Sequence, residues 1–139
     1  MKNYFALLLL VFLGACNPTD IESTKNTANK IQKDKFQNVN SSRFLELIQK
    51  GNGIVLDVRT FAEAQQGHIP NAIVIDIYQK DFEEKISALP KDSEIYVYCT
   101  VGARSKQAAL ILQRNGFEKV FNLEAGIMDW ARNRYPIAK

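Results

Sequence analysis

A single cysteine, Cys99, lies between a predicted strand and a predicted helix and is the strongest candidate for a reactive residue. The apolar run at residues 95–98 precedes it, and a glycine-containing loop at residues 99–105 leads from it into a helical pattern. Such a loop directs backbone N–H groups and the positive end of a helix dipole toward its first residue. These surroundings lower the pKa of a thiol, so we interpret Cys99 as a nucleophile rather than as a buried strand residue.

The residues that follow Cys99 have complementary expected roles. Gly102 allows the loop to curl, because glycine adopts backbone conformations that a Cβ forbids. Arg104 is expected to attract an anionic substrate and to hydrogen-bond its oxygens. The N–H donors that face the sulfur, and with them the substrate-binding residues, are expected among Thr100, Val101, Gly102, Ala103, Arg104 and Ser105.

The elements that must position this loop alternate between strands and helices from residue 36 onward. Strands are predicted at residues 36–39, 54–58, 72–75, 95–98 and 119–123, and helices at residues 41–49, 81–89, 105–115 and 127–132. A capping box at residues 60–63 opens a further short helix. This order predicts an α/β domain with a mostly parallel sheet. Sites in such sheets form beyond the carboxyl ends of the strands, where Cys99 lies.

Asp57 and Arg59 follow a neighbouring predicted strand, so their side chains could reach the same edge of the sheet. For Asp57 we favour a supporting role, in which buried hydrogen bonds anchor the loop or Arg59. Arg59 either binds substrate or pairs with Asp57 or Glu63. His68 is the one histidine, and we expect it to stabilise a turn, because the sequence offers it no partners for a metal site.

Five segments within residues 36–136 resemble the rhodanese family of sulfurtransferases. They are Asp57-Val58-Arg59 followed by Glu63, Gly67-His68-Ile69-Pro70-Asn71-Ala72, Tyr98-Cys99-Thr100-Val101-Gly102-Ala103-Arg104-Ser105, Gly116-Phe117 followed by Val120, and Leu123-Glu124-Ala125-Gly126 with Trp130. The resemblance implies a five-stranded parallel sheet flanked by helices and a chemistry without metal or organic cofactor. Cys99 would take a sulfane sulfur from a donor such as thiosulfate and pass it to cyanide or a thiol.

The sequence departs from the family pattern at one position and from a rival family at another. The closing segment of the family usually has two adjacent glycines, and Ala125 replaces the first, which would strain the backbone if that position requires a positive φ. Cysteine phosphatases and arsenate reductases place five residues between cysteine and arginine. Only four separate Cys99 from Arg104, and the smaller ring suits a single sulfur better than a phosphate.

The amino-terminal residues resemble a bacterial lipoprotein signal. Lys2 precedes an apolar stretch at residues 4–13, which is too short to span a bilayer, and Leu-Gly-Ala-Cys ends at Cys16. Lipidation of Cys16 would anchor the protein and leave Cys99 as the only thiol. Asn17 resembles sorting signals that favour the periplasmic face of the outer membrane. The expected organisation is a signal peptide at 1–15, a flexible tether at 16–35 and a rhodanese-like domain at 36–139.

Composition limits the remaining classes of function. The chain of 139 residues has 18 basic and 15 acidic side chains, with no dense basic run, so nucleic-acid binding is not expected. A nearly neutral charge and short helices fit a monomer. Three hypotheses stay open: a membrane-tethered sulfurtransferase, a persulfide carrier that serves a protein partner, and a structural lipoprotein with an unreactive Cys99.

Overall fold

The computed structural model describes residues 36–139, in which strands and helices alternate. The strands are β1 (Gln37–Val39), β2 (Ile54–Asp57), β3 (Ile73–Val74), β4 (Ile95–Tyr98) and β5 (Val120–Leu123). The helices are α1 (Ser41–Lys50), α2 (Phe61–Gln65), α3 (Phe82–Ser87), α4 (Ala103–Arg114) and α5 (Gly126–Arg132). The predicted signal peptide, the lipidated Cys16 and the tether lie outside the described residues.

The five strands form one sheet in the order β1-β5-β4-β2-β3, and every neighbouring pair is parallel. This confirms the predicted fold class, an α/β fold with a five-stranded parallel sheet. β4 is the middle strand and is buried throughout. Cys99 therefore leaves the sheet at the centre of its carboxyl edge, where α4 begins within four residues.

Two apolar cores cover the two faces of the sheet. Alternation along β4 sends Val97 and then Cys99 into the core that α3 and α4 cover. It sends Tyr96 and Tyr98 into the opposite core, which α1 and α5 cover and in which Trp130 is fully buried. The Cys99 thiol and the two tyrosines of β4 thus belong to different faces.

The boundaries of several elements differ from those predicted. α4 begins at Ala103 rather than at residue 105, because Gly102 adopts the left-handed conformation and serves as its N-cap. β3 has two residues instead of four, since only Ile73 and Val74 pair with β2. The predicted capping box of α2 is present: Thr60 accepts from the Glu63 N–H, and the Glu63 side chain accepts from the Thr60 N–H. Within residues 36–139 no helix has the length and hydropathy to cross a membrane.

Candidate active site

The sulfur of Cys99 lies inside the turn formed by the loop that follows it. The backbone N–H of Gly102 donates to Sγ over 3.1 Å, and the Ser105 hydroxyl lies 3.5 Å from the same atom. Ser105 Oγ is also 3.1 Å from the Gly102 carbonyl oxygen, so its one proton serves either acceptor. Cys99 is only 1% exposed, and Ser105 is fully buried.

These contacts favour the ionised form of the thiol. Burial raises the pKa of Cys99, but the Ser105 hydroxyl and the N–H groups of Ser105, Val101 and Gly102 outweigh it, so the net pKa lies below its usual value. Val101, Gly102 and Ser105 therefore fill the predicted role of donors to the sulfur. Ala103 lies in the first turn of α4.

Two glycines allow the chain to close around the sulfur. Gly102 has a φ of 91°, and a Cβ there would overlap the carbonyl oxygen of Glu124. Gly126 has a φ of 63°, and a Cβ there would overlap the carbonyl of Thr100. Ala125 has a φ of −99°, so the strain considered for this departure from the family pattern is absent. The first position of the glycine pair accepts alanine, whereas the second requires glycine.

The first residues of α5 donate hydrogen bonds to the Cys99 loop. Its Ile127 N–H donates to the Cys99 carbonyl over 2.8 Å, and its Met128 N–H donates to the Thr100 carbonyl over 3.2 Å. These bonds satisfy two loop carbonyls and two N–H groups at a helix start. The Cys99 and Thr100 carbonyls therefore point toward α5, while the N–H groups of Val101, Gly102 and Ser105 point toward the sulfur.

Arg104 makes a bidentate ion pair with Glu63. Its Nη1 lies 2.8 Å from Oε2 and its Nη2 lies 2.6 Å from Oε1, while Thr100 Oγ1 lies 2.8 Å from Nη2 and 3.0 Å from Oε1. The paired arginine holds the pKa of Glu63 well below its usual range, and the carboxylate raises the pKa of Arg104. The sequence assigned Arg104 to substrate, and this partner was missed. The capping box was the available signal, because it places Glu63 beyond the carboxyl end of β2.

Asp57 and Arg59 form a second pair, on the other face of the sheet. Arg59 Nε lies 3.0 Å from Oδ1 of Asp57 and Nη2 lies 2.6 Å from Oδ2, and Nη2 also donates to the Gly67 carbonyl. The guanidinium lies 5.6 Å from the centre of the Tyr98 ring, in the core opposite Cys99. The structure thus places Arg59 with Asp57 rather than with Glu63, and it does not bring this pair to the thiol.

His68 lies in the turn that follows α2, as expected. Its backbone exchanges hydrogen bonds of 2.9 and 2.8 Å with Ala138, and its Nδ1 lies 3.2 Å from the Ala64 carbonyl oxygen. In the part of the chain that the structure describes, no three His, Cys, Asp or Glu side chains are grouped so that they could hold a metal ion.

Comparison with known proteins agrees with this fold. The family model of the rhodanese-like domain matches residues 40–133. A sulfurtransferase of Allochromatium vinosum is 40% identical over 84 residues, which cover 60% of this chain and 77% of that protein. The crystal structure of a rhodanese-related protein from Thermoplasma volcanium superposes with a TM-score of 0.65 at 33% identity, over 73% of this chain and 97% of that one.

Larger proteins also contain a related segment. The tRNA uridine(34) hydroxylase of Yersinia enterocolitica is 31% identical over 115 residues, but the match spans only 33% of that protein. The fold defines a class of α/β proteins with a five-stranded parallel sheet flanked by helices. This chain belongs to the rhodanese-like domain family, whose members include sulfurtransferases and sulfur carriers.

Proposed function

We propose that this protein is a sulfurtransferase that works through a persulfide on Cys99. The observation that carries the proposal is the Cys99 sulfur, which is buried, faced by N–H groups and shifted toward its thiolate. A thiolate is the form that attacks a sulfur donor. The same donors would stabilise the negative terminal sulfur of a persulfide, so one loop serves both states of the enzyme.

In the first half-reaction, the Cys99 thiolate attacks the outer, sulfane sulfur of a donor such as thiosulfate. A bond forms between Sγ and that sulfur, the S–S bond of thiosulfate breaks, and its electron pair leaves with sulfite. No proton is transferred and no external oxidant is needed. The product is a Cys99 persulfide that carries one negative charge.

In the second half-reaction, an acceptor attacks the outer sulfur of the persulfide. Cyanide gives thiocyanate, and a thiolate gives a new persulfide; in both cases the electron pair of the broken S–S bond returns to Cys99 as the thiolate. Gly102 and Ser105 lie at the sulfur in the resting state and are ready to receive this charge.

The direct test incubates the purified domain with thiosulfate and cyanide and measures thiocyanate. We expect turnover by the wild-type domain and none by Cys99→Ser. Mass spectrometry after thiosulfate alone should show one added sulfur atom, located on Cys99. The proposal would be contradicted if the wild-type rate equalled that of Cys99→Ser, no sulfur were added and Cys99 were alkylated slowly at neutral pH. These results would support the hypothesis of a structural lipoprotein with an unreactive Cys99.

A second candidate function is a persulfide carrier that delivers sulfur to a protein partner in the cell envelope. The observation that favours it is the pairing of Arg104, the basic side chain of the loop, with Glu63. A site whose arginine is engaged attracts small anions weakly. Stable loading of Cys99 without steady-state formation of thiocyanate would identify a carrier.

We further propose that Cys16 is lipidated and tethers the domain to the bacterial envelope, on the periplasmic face of the outer membrane. The support is the signal-like sequence of residues 1–16. Cells that express the full chain should incorporate labelled palmitate, and Cys16→Ser should not. Density-gradient fractions should then contain the wild-type protein with outer-membrane markers; its recovery with inner-membrane markers would contradict the sorting.

A further inference from the structure

A fixed ion pair and an exposed apolar rim adjoin the Cys99 loop. We infer that Glu63 determines donor specificity by neutralising Arg104, so that the site favours donors with a single charge and an apolar substituent over the thiosulfate dianion. This inference rests on the proposed sulfur transfer through Cys99.

Glu63 is held in place by two elements at once. Its Oε2 accepts from the Thr60 N–H over 3.1 Å and from the Thr60 hydroxyl over 2.9 Å, as part of the α2 capping box. Both of its oxygens also accept from Arg104. An incoming anion would therefore compete with Glu63 for Arg104. Glu63 cannot move away from the arginine without losing its hydrogen bonds to Thr60 at the N-cap of α2.

The charge of Arg104 is already paired with a carboxylate of the protein. Both terminal nitrogens bind Glu63, and Nη2 also lies against Thr100 Oγ1. The pair is partly exposed, with 20% of the arginine side chain and 36% of the glutamate side chain accessible. A dianion that approaches the loop meets a net charge of zero from this pair, and a carboxylate lies nearest to the arginine.

Large apolar side chains adjoin the loop and are exposed. We define the apolar rim as Val101, Tyr78 and Met128, whose exposed fractions are 63%, 68% and 55%. Val101 belongs to the loop, and the Tyr78 ring centre lies 5.8 Å from the Arg104 guanidinium carbon. The Met128 N–H donates to the Thr100 carbonyl. Exposed apolar side chains beside a reactive group favour an apolar ligand.

Thiosulfonates have the chemistry that this arrangement favours. They carry one negative charge, a sulfane sulfur and an organic substituent. The Cys99 thiolate would attack the sulfane sulfur, the S–S bond would break, and the electron pair would leave with the sulfinate. The products are a Cys99 persulfide and one sulfinate, so charge and electrons balance without a further reactant.

The test compares three donors: thiosulfate, methanethiosulfonate and benzenethiosulfonate. Each enzymatic kcat/KM is divided by the rate at which the same donor reacts with a free small thiolate, which removes differences in intrinsic reactivity. For the wild-type domain we expect the order benzenethiosulfonate, methanethiosulfonate, thiosulfate. A corrected thiosulfate value above both thiosulfonates would overturn the inference, and this measurement needs no variant.

The variant Glu63→Gln tests the residue itself. It keeps an oxygen for the α2 cap and removes the charge, so the thiosulfate KM should fall about fivefold, the size of one partly exposed ion pair. The KM for methanethiosulfonate should fall less, because that donor has half the charge. If Glu63 only supported the loop, Glu63→Gln would instead lower kcat by the same factor for all three donors. That result would overturn the specificity role.

A second variant, Val101→Ser, tests the apolar rim. It should reduce the preference for benzenethiosulfonate over methanethiosulfonate by about threefold, as expected for the removal of part of one apolar contact. The matched control is Leu110→Ser on α4, which removes an exposed apolar side chain outside the rim and should leave the preference unchanged. An equal effect of both variants would contradict the rim.

Failure of the inference is distinguishable from failure of the proposed function. If no donor adds sulfur to Cys99, sulfur transfer itself is wrong. If all three donors load Cys99 but Glu63→Gln leaves their relative KM values unchanged, sulfur transfer stands and the specificity role of Glu63 is wrong.

Discussion

Two arginine–carboxylate pairs lie near the carboxyl edge of the sheet, and they differ in burial. The side chains of Asp57 and Arg59 are 0% and 6% exposed, whereas those of Glu63 and Arg104 are 36% and 20% exposed. Both pairs share bidentate geometry, with shortest contacts of 2.6 Å. The pairs therefore have similar chemistry but different surroundings.

The difference teaches that burial, more than the ion pair itself, determines what such a pair does. Arg59 also donates to the Gly67 carbonyl and lies over the Tyr98 ring, so its guanidinium binds partners within the core. Arg104 and Glu63 instead connect α2 to the Cys99 loop at a partly exposed surface. A change in the first pair should act on folding, and a change in the second should act on reactivity.

The largest expected effect is on stability, from matched isosteric changes in the two pairs. Asp57→Asn leaves the Arg59 charge buried without its carboxylate and should lower the free energy of unfolding by about 3–5 kcal/mol. Glu63→Gln, at a partly exposed pair, should lower it by about 1 kcal/mol or less. Urea denaturation of both variants and the wild type measures the difference. Equal losses of unfolding free energy in Asp57→Asn and Glu63→Gln would show that burial does not make the two pairs differ in their contribution to stability.

A smaller effect is expected on the thiol, and it sharpens the same contrast. Ser105→Ala removes a donor to Sγ and should raise the pKa of Cys99 by about one unit, because a hydrogen bond to a charged group contributes about 1.5–3 kcal/mol. Glu63→Gln should shift the pKa downward, since the Arg104 charge near Cys99 is then unopposed. Alkylation rates measured across pH give these midpoints.

The control for the thiol is the buried pair. Asp57 lies on the face opposite Cys99, so Asp57→Asn should leave the alkylation midpoint unchanged if the variant remains folded under the assay conditions. A midpoint that moves as far in Asp57→Asn as in Ser105→Ala would mean that the two faces are electrostatically coupled.

The fold and the loop around Cys99 could be predicted because their signals are local. An apolar strand, a glycine and a helical pattern follow one another around Cys99, and the capping box of α2 lies within four consecutive residues. Gly102 was expected to curl the loop and does so with a positive φ.

The sequence missed the pairing of Arg104 with Glu63 and left Arg59 between Asp57 and Glu63, because the deciding signals are not local. Glu63 and Arg104 are 41 positions apart, and Arg59 had two carboxylates within reach along the sequence. The choice depends on which face of β2 each side chain occupies. Asp57 and Tyr98 share one face, and Cys99 lies on the other. A register that places residues 57 and 98 side by side emerges only when the strands pair.

The smallest expected effect is the contribution of the exposed pair to stability in acid. The pKa of Glu63 is lowered in the folded protein, first by its bond to Arg104. Its contribution is therefore present above the unfolded-state pKa of about 4.3 and is lost as the pH falls below that value toward the folded-state pKa. Wild-type stability should fall more than that of Glu63→Gln between about pH 6 and about pH 3, as urea denaturation would measure. Added salt should reduce this difference in stability between the wild type and Glu63→Gln, because solvent reaches the ion pair. A difference that salt does not change would assign the effect to a buried group instead.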